Sequence, residues 1–147
     1  MIINVQKNKH AKIWLYARVS RDEEMKGDSI ENQINMLEDY AKLNNLNVIG
    51  KSFDNNITGT NFDREGIDIL DRAITEKQVD VVLIKDFSRL GRNHIETSIY
   101  IASLKLKNIE VYSITESISS LNEDNKMLIA IKNVMNEGVS TDLSRKI

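Results

Sequence analysis

Arg18 and Ser20 stand two residues apart at the end of an apolar run, "IWLYARVS", and Ser88, Arg89 and Arg92 close another, "VDVVLIKDFSRLGRN". A buried strand has little use for a guanidinium beside a hydroxyl at its exit, so these residue types point to a ligand. Arginine is scarce: the seven are Arg18, Arg21, Arg64, Arg72, Arg89, Arg92 and Arg145. In open α/β sheets ligands sit outside the carboxyl ends of parallel strands. By that rule the first strand delivers Arg18 and Ser20, and the second delivers Asp54. The next helix start delivers Arg64, and the third strand delivers Ser88, Arg89 and Arg92. Such a cluster of arginines repels itself unless an anion is present, and the planar guanidinium matches phosphate oxygens bidentately. Serine is a poor nucleophile unless a base or nearby positive charge activates it. The arginines could supply that charge and stabilise a pentacoordinate phosphorus transition state, the role otherwise given to metal ions. No metal is then required.

The elements that must position these residues follow from periodicity. Residues 12–19 are apolar at nearly every position, the pattern of a strand covered on both faces. Asp28 with Glu31 resembles a capping box, and Ile30, Ile34, Leu37 and Ala41 mark one face of a helix over about 28–44. "NVIGKSFD" reads as a second strand and "NNITGTNFD" as a loop, with Asp63 capping a helix that carries Ile67, Leu70 and Ile74. "VDVVLIKD" is rich in β-branched residues and reads as the third strand. A helix over about 93–107 carries Ile95, Ile99, Ala102 and Leu106 on one side, and a fourth strand follows at 109–115. Alternating strands and helices predict an α/β fold with a mainly parallel central sheet flanked by helices.

From Asn122 the chain reads as one long C-terminal helix to Ile147, on the order of 37 Å at about 1.5 Å per residue. Its stripe of Leu128, Ile131, Met135, Val139 and Leu143 is too long for so small a domain to cover, and Gly138 weakens it midway. The expected division is therefore residues 1–121 as the α/β domain and 122–147 as the start of an oligomerisation helix.

Composition narrows the classes. The 147 residues suit one self-supporting domain. With no cysteine there is no disulfide framework, thiolate catalysis or cysteine-rich zinc site, and His10 and His94 are too far apart to suggest a metal pair. Twenty basic against 22 acidic residues rule out a grip on nucleic acid through bulk charge, so any such contact must be local. The N-terminus lacks the apolar run of a signal peptide and no stretch is long and apolar enough to span a bilayer, so a cytoplasmic protein is expected.

"YARVS", "DSIENQINML", "FDNNITGTNFDREGIDIL", "KDFSRLGRN" and "NIEVYSITESISS", in that order, closely resemble the catalytic domain of the serine site-specific recombinases, the resolvase/invertase family. "NEGVSTDLSRKI" looks like the large, transposase or integrase type, and the resemblance covers about residues 12–147. It implies that Ser20 attacks a DNA phosphodiester to give a 5′-phosphoserine link and a free 3′ hydroxyl. By the same resemblance Arg18, Arg64, Arg89 and Arg92 bind phosphate, Gln33 is an active-site glutamine, and Asp54 is the acid that positions an arginine. The family implies a dimer on each DNA site and a tetramer at synapsis, with strand exchange needing no ATP, metal or other cofactor. One position departs: the small resolvases carry aspartate where Ser88 stands, which leaves the proton donor to the leaving 3′ oxygen open. Asp86 is two residues away, roughly 7 Å along a strand, and by that measure does not replace it directly. The large type carries DNA-reading and zinc modules downstream, so this stretch is expected to be an excised catalytic domain with weak specific DNA binding of its own.

Blander readings stand beside these. A serine after a strand is commonly a turn residue, Arg18 and Asp54 could form a buried ion pair, and Arg64, Arg89 and Gln33 taken singly suit a solvated surface. Asp54 and Asp86 at strand ends suggest magnesium only where carboxylates are paired at one spot. The rival from another class is a receiver-type signalling domain phosphorylated on Asp54, which needs an acidic pair where this chain has Arg18 and Ser20. A catalytically silent dimerisation module is the third reading.

Overall fold

The computed structural model describes residues 1–56, 64–122 and 126–146, with side chains described as far as residue 136. Five strands form one sheet in the order β2-β1-β3-β4-β5. They are β1 Lys12–Ser20, β2 Asn47–Asn56, β3 Val81–Ile84, β4 Glu110–Ser113 and β5 Ile118–Ser119. The first four run parallel, and β5 pairs antiparallel with β4.

The near-continuous burial of β1, with residues 13–17 all buried, explains why it is central. Trp14 and Tyr16 face one side, with α4 Glu65–Thr75, α5 His94–Leu106 and α6 Lys126–Lys146. Ile13, Leu15 and Ala17 face the other, with α3 Ile30–Leu43 and the short N-terminal α1 Ile3–Lys7. Both faces are therefore covered, as parallel sheets require. The expected α/β architecture with a mainly parallel sheet is what the chain adopts. Ile67, Leu70 and Ile74 of α4 and Leu37 and Ala41 of α3 enter the core as their spacing predicts. The expected α4 cap at Asp63 lies outside the described residues.

Several expectations change. The α3 helix is capped by Ser29, whose hydroxyl accepts from the Asn32 amide, and begins at Ile30. Asp28 is thereby released for another task. The third strand stops at Ile84, because Asp86 turns the chain by capping a 3-10 turn, Phe87–Leu90, through the Ser88 amide. On α5 the apolar stripe read from the sequence is the outer face: Thr97, Ile101 and Leu104 are buried, while Ile95, Ile99 and Leu106 are 61%, 64% and 88% exposed. The α6 helix buries Ala130 and Ile131 rather than Leu128, which is half-exposed. Its 21 residues span about 31 Å at about 1.5 Å each. The side chains of Val139 and Leu143 lie outside the described residues.

The N-terminal helix was not anticipated. Its residue Ile2 offers no capping side chain, yet the fully buried Glu110 on β4 accepts from the Ile3 amide at 2.8 Å and the Asn4 amide at 2.7 Å. Ser119 on β5 donates to the same carboxylate at 2.6 Å. One buried acid thus ties the N-terminus and the edge strand to β4, its charge met by three donors.

Candidate active site

The site begins where β1 loses its neighbour. β3 pairs with β1 only along Ile13, Leu15 and the residue between them, so the Arg18 backbone has no strand beside it on that edge. Buried peptide groups need partners, and Gln33 supplies them. Its side-chain oxygen accepts from the Arg18 amide at 3.3 Å and its amide nitrogen donates to the Arg18 carbonyl at 2.8 Å. Gln33 is only 1% exposed, so the reading of it as exposed filler fails. It imitates a strand and fixes the segment leading to Ser20.

The Arg18 side chain crosses to the 3-10 turn, donating from Nη2 to the Ser88 carbonyl at 2.7 Å and from Nε to the Arg89 carbonyl at 3.2 Å. Arg89 returns the contact, donating from Nη1 to the Arg18 carbonyl at 2.9 Å. The exit of β1 and the loop after β3 are therefore cross-linked by two guanidiniums reaching backbone oxygens. Burial lowers the Arg18 pKa, and the charges of Asp86, Asp54 and Glu96 oppose that shift. Burial, then repulsion from Arg18, pulls Arg89 down to about 10, which still leaves it charged at neutral pH.

Ser20 ends β1 and caps α2, Arg21–Met25. Its hydroxyl accepts from the Glu23 amide at 3.3 Å while the Glu23 carboxylate accepts from the Ser20 amide at 3.0 Å, a complete capping box. The other Glu23 oxygen takes a short bond from Arg89 Nη1. Glu23 therefore links the candidate nucleophile to a candidate phosphate-binding arginine. Arg89, only 4% exposed, also donates from Nη2 to Asp28 and Asp86, each at 3.2 Å. Its Nε has no hydrogen-bond partner among the described residues. An orphaned buried donor costs about 1–3 kcal/mol, offset here by the charge-assisted bonds at the other two nitrogens.

Ser88 and Asp86 are closer than a strand rise suggested, because the chain has left β3 by residue 86. Asp86 accepts from the Ser88 amide at 3.0 Å and from its hydroxyl in a short bond. Burial raises the Asp86 pKa, and the Ser88 hydrogen bond is the largest influence opposing it. Two residues here act as one polar unit. Asp28, released from its expected capping role, also receives Lys85 Nζ at 3.1 Å and Gln33 Nε2 at 3.2 Å. Lys26, Lys85, Asp28, Asn32 and Gln33 line an adjoining cleft of about 290 Å³.

A second arginine pair lies on the other side. Asp54, 1% exposed, accepts from the Tyr16 hydroxyl at 2.6 Å and from the Gly66 and Ile67 amides at 2.6 and 3.1 Å. It faces Arg18 across the β1–β2 register and caps the start of α4, directly after Arg64. Gly66 is required there, since a Cβ would come within 2.3 Å of the Phe53 carbonyl oxygen. Asp54 thus positions Arg64 through the backbone of the helix it caps. Arg64 Nη1 meets Glu96 at 2.9 Å, and Arg92 Nε meets the other Glu96 oxygen at 3.8 Å.

All nine singled-out residues lie on this rim, and the structure adds Glu23, Asp28, Lys85 and Glu96. Acidic residues among arginines carry no periodic signal; only Glu23 was findable, standing three after Ser20 as a capping box demands. Asn56 is a further addition: it pairs with Ser20 in the strand register, is buried, and both its amide atoms lack partners among the described residues.

A mainly parallel sheet whose carboxyl rim gathers a serine, four arginines and the acids paired with them defines an α/β domain with a charged site at its strand ends. Residues 13–146 match the family model "Resolvase, N terminal domain", and the chain belongs to that family. The Transposon Tn3 resolvases of Escherichia coli and Klebsiella pneumoniae are each 31% identical over 121 residues, 82% of this chain. The chain spans 59% of the length of those relatives. The crystal structure of the N-terminal catalytic domain of TP901-1 integrase is similar with a TM-score of 0.67 at 27% identity, covering 88% of this chain and 97% of that one. A resolvase family site-specific recombinase from Streptococcus pneumoniae shares the fold, with a TM-score of 0.69 at 20% identity over 92% of this chain and 95% of its own. Among the described residues no helix is long and apolar enough to cross a membrane.

Proposed function

We propose that this chain is the catalytic part of a serine recombinase that breaks and rejoins DNA at specific sites. Ser20 Oγ attacks the scissile phosphorus and gives its proton to solvent, the bond from phosphorus to the 3′ oxygen breaks, and that oxygen takes up a proton from solvent in return. A 5′-phosphoserine link and a 3′ hydroxyl result, and reversal of the step on a new partner reseals the strand. Arg18 and Arg89 hold the phosphate near the nucleophile, while Arg64 and Arg92 neutralise charge at its outer side. Gln33 and Asp54 act as positioning residues through the Arg18 backbone and the start of α4. The positive charge this chemistry needs comes from arginine, so the reaction proceeds without metal, ATP or another cofactor.

The observation that carries this reading is the bridge made by Glu23: one carboxylate spans from the Ser20 amide to Arg89 Nη1, so an anion already fits between serine and guanidinium. The receiver alternative is weakened by Asp54, whose carboxylate is buried and fully engaged in capping α4. Second copies of the chain are the proposed partners besides DNA, as a dimer on each site and a tetramer at synapsis. The exposed Ile95, Ile99 and Leu106 on α5, together with α6, form the face for that contact. The proposed division keeps 1–121 as the catalytic unit and 122–147 as the oligomerisation helix, with sequence-specific DNA contacts supplied by further domains.

The test uses the whole protein carrying this chain on supercoiled DNA with its paired sites, quenched during exchange, with Ser20→Ala beside it. Covalent protein on DNA 5′ ends, present in wild type and absent in Ser20→Ala, is the expected result. An adduct that persists in Ser20→Ala overturns the assignment.

A further inference from the structure

Arg89 is a phosphate-binding residue in the reading above, yet its guanidinium is already surrounded by three carboxylates, Glu23, Asp28 and Asp86. A phosphodiester brings another negative charge to the same place, and like charges confined in a half-buried site repel strongly. One of the three must therefore leave. Asp86 is held as the cap of the 3-10 turn and by the Ser88 hydroxyl. Asp28 is held by Lys85 and by Gln33. Glu23 is different: it sits on α2, five residues with none buried, and its side chain is 25% exposed. A short segment with no buried contact opens at little cost.

We infer that Glu23 is a built-in substitute for the substrate phosphate, which it must vacate Arg89 to admit. The inference rests on Arg89 being a phosphate ligand and adds a residue to which no role is otherwise assigned. The exchange is coupled to the nucleophile. Glu23 accepts from the Ser20 amide with one oxygen and from Arg89 with the other, so its side chain releases a backbone donor and a guanidinium in one movement. Both then point at whatever anion replaces it. The departure also frees the guanidinium to turn and give its orphaned Nε a partner.

The discriminating variant is Glu23→Gln. Glutamine serves equally at the third position of a capping box, so Ser20 and α2 keep their cap while the charge on Arg89 is removed. The control is Glu24→Gln, an exposed neighbour that loses the same charge and is not among the acids paired with Arg89. Binding of inorganic phosphate to the 147-residue chain is followed by NMR titration at constant ionic strength, with thermal unfolding of each variant as the check on folding. Glu23→Gln is expected to bind phosphate at least about 5-fold more tightly than wild type, the lower end of ordinary coupling between competing sites. Glu24→Gln is expected to match wild type, and adding Arg89→Gln to Glu23→Gln to remove the gain. The inference is overturned if Glu23→Gln binds no better than wild type, including binding by neither, or if Glu24→Gln gains equally. It is also overturned if the gain survives loss of Arg89. Because the readout is phosphate affinity and not DNA cleavage, a gain without any 5′ adduct retains the inference and removes the serine mechanism. An adduct without a gain does the reverse.

Discussion

The two arginine pairs on the rim are built from the same residue type by opposite means. Arg18 and Arg89 are held inside, bonded to the Ser88, Arg89 and Arg18 carbonyls and to acids that are themselves anchored. Arg64 and Arg92 lie outside, with side chains 36% and 58% exposed, gathered by the single carboxylate of Glu96. The inner pair is part of the fold, tying the exit of β1 to the turn after β3. The outer pair borrows its position from α4 and α5. A guanidinium in a buried cage is placed by the fold, whereas one at the surface stays adjustable, and the reaction proposed above draws on both.

Mutational stability measurements can break this contrast. Arg89→Ala leaves Glu23, Asp28 and Asp86 without their shared cation, so a loss of about 3–5 kcal/mol is expected in denaturant unfolding, the usual result of orphaning buried charge. Gly66→Ala drives a Cβ into the Phe53 backbone, which cannot swing aside as a side chain could. A loss of about 1–3 kcal/mol is expected in thermal unfolding, together with weaker amide protection at the α4 start. Gln33→Ala removes the strand mimic and strands the Arg18 peptide groups, so about 1–3 kcal/mol should be lost in denaturant melts. Arg92→Ala should change stability by no more than about 0.5 kcal/mol in the same melts, since an exposed pair at 3.8 Å contributes little. Both Arg89→Ala and Arg92→Ala should abolish the 5′ adduct. If Arg92→Ala destabilises as much as Arg89→Ala, the division into structural and adjustable pairs is wrong.

The legible parts of the sequence were those with a period or a fixed local offset. A continuous apolar run made β1 recognisable as a strand covered on both faces, and three- and four-residue spacing did the same for α3 and α4. On α5, Ile95, Ile99 and Leu106 recur at helical spacing yet are exposed. Spacing defines a stripe, and only packing says which stripe is inside. Asp28 shows the same limit in a polar residue: it satisfies the local rule for a cap, but Ser29 takes that position and Asp28 serves Gln33, five residues on, and the distant Lys85 and Arg89.

The sequence by itself determined the four parallel strands and the helices between them, with Ser20, Arg18 and Asp54 at strand exits, Arg64 at a helix start and Ser88, Arg89 and Arg92 after the third strand, because these follow from local patterns and from the rule for parallel strands. Only the tertiary structure decided which charges meet. The Glu23–Arg89 and Arg64–Glu96 contacts join residues 66 and 32 positions apart, and no local pattern encodes a pair whose members are brought together by the crossing of other elements.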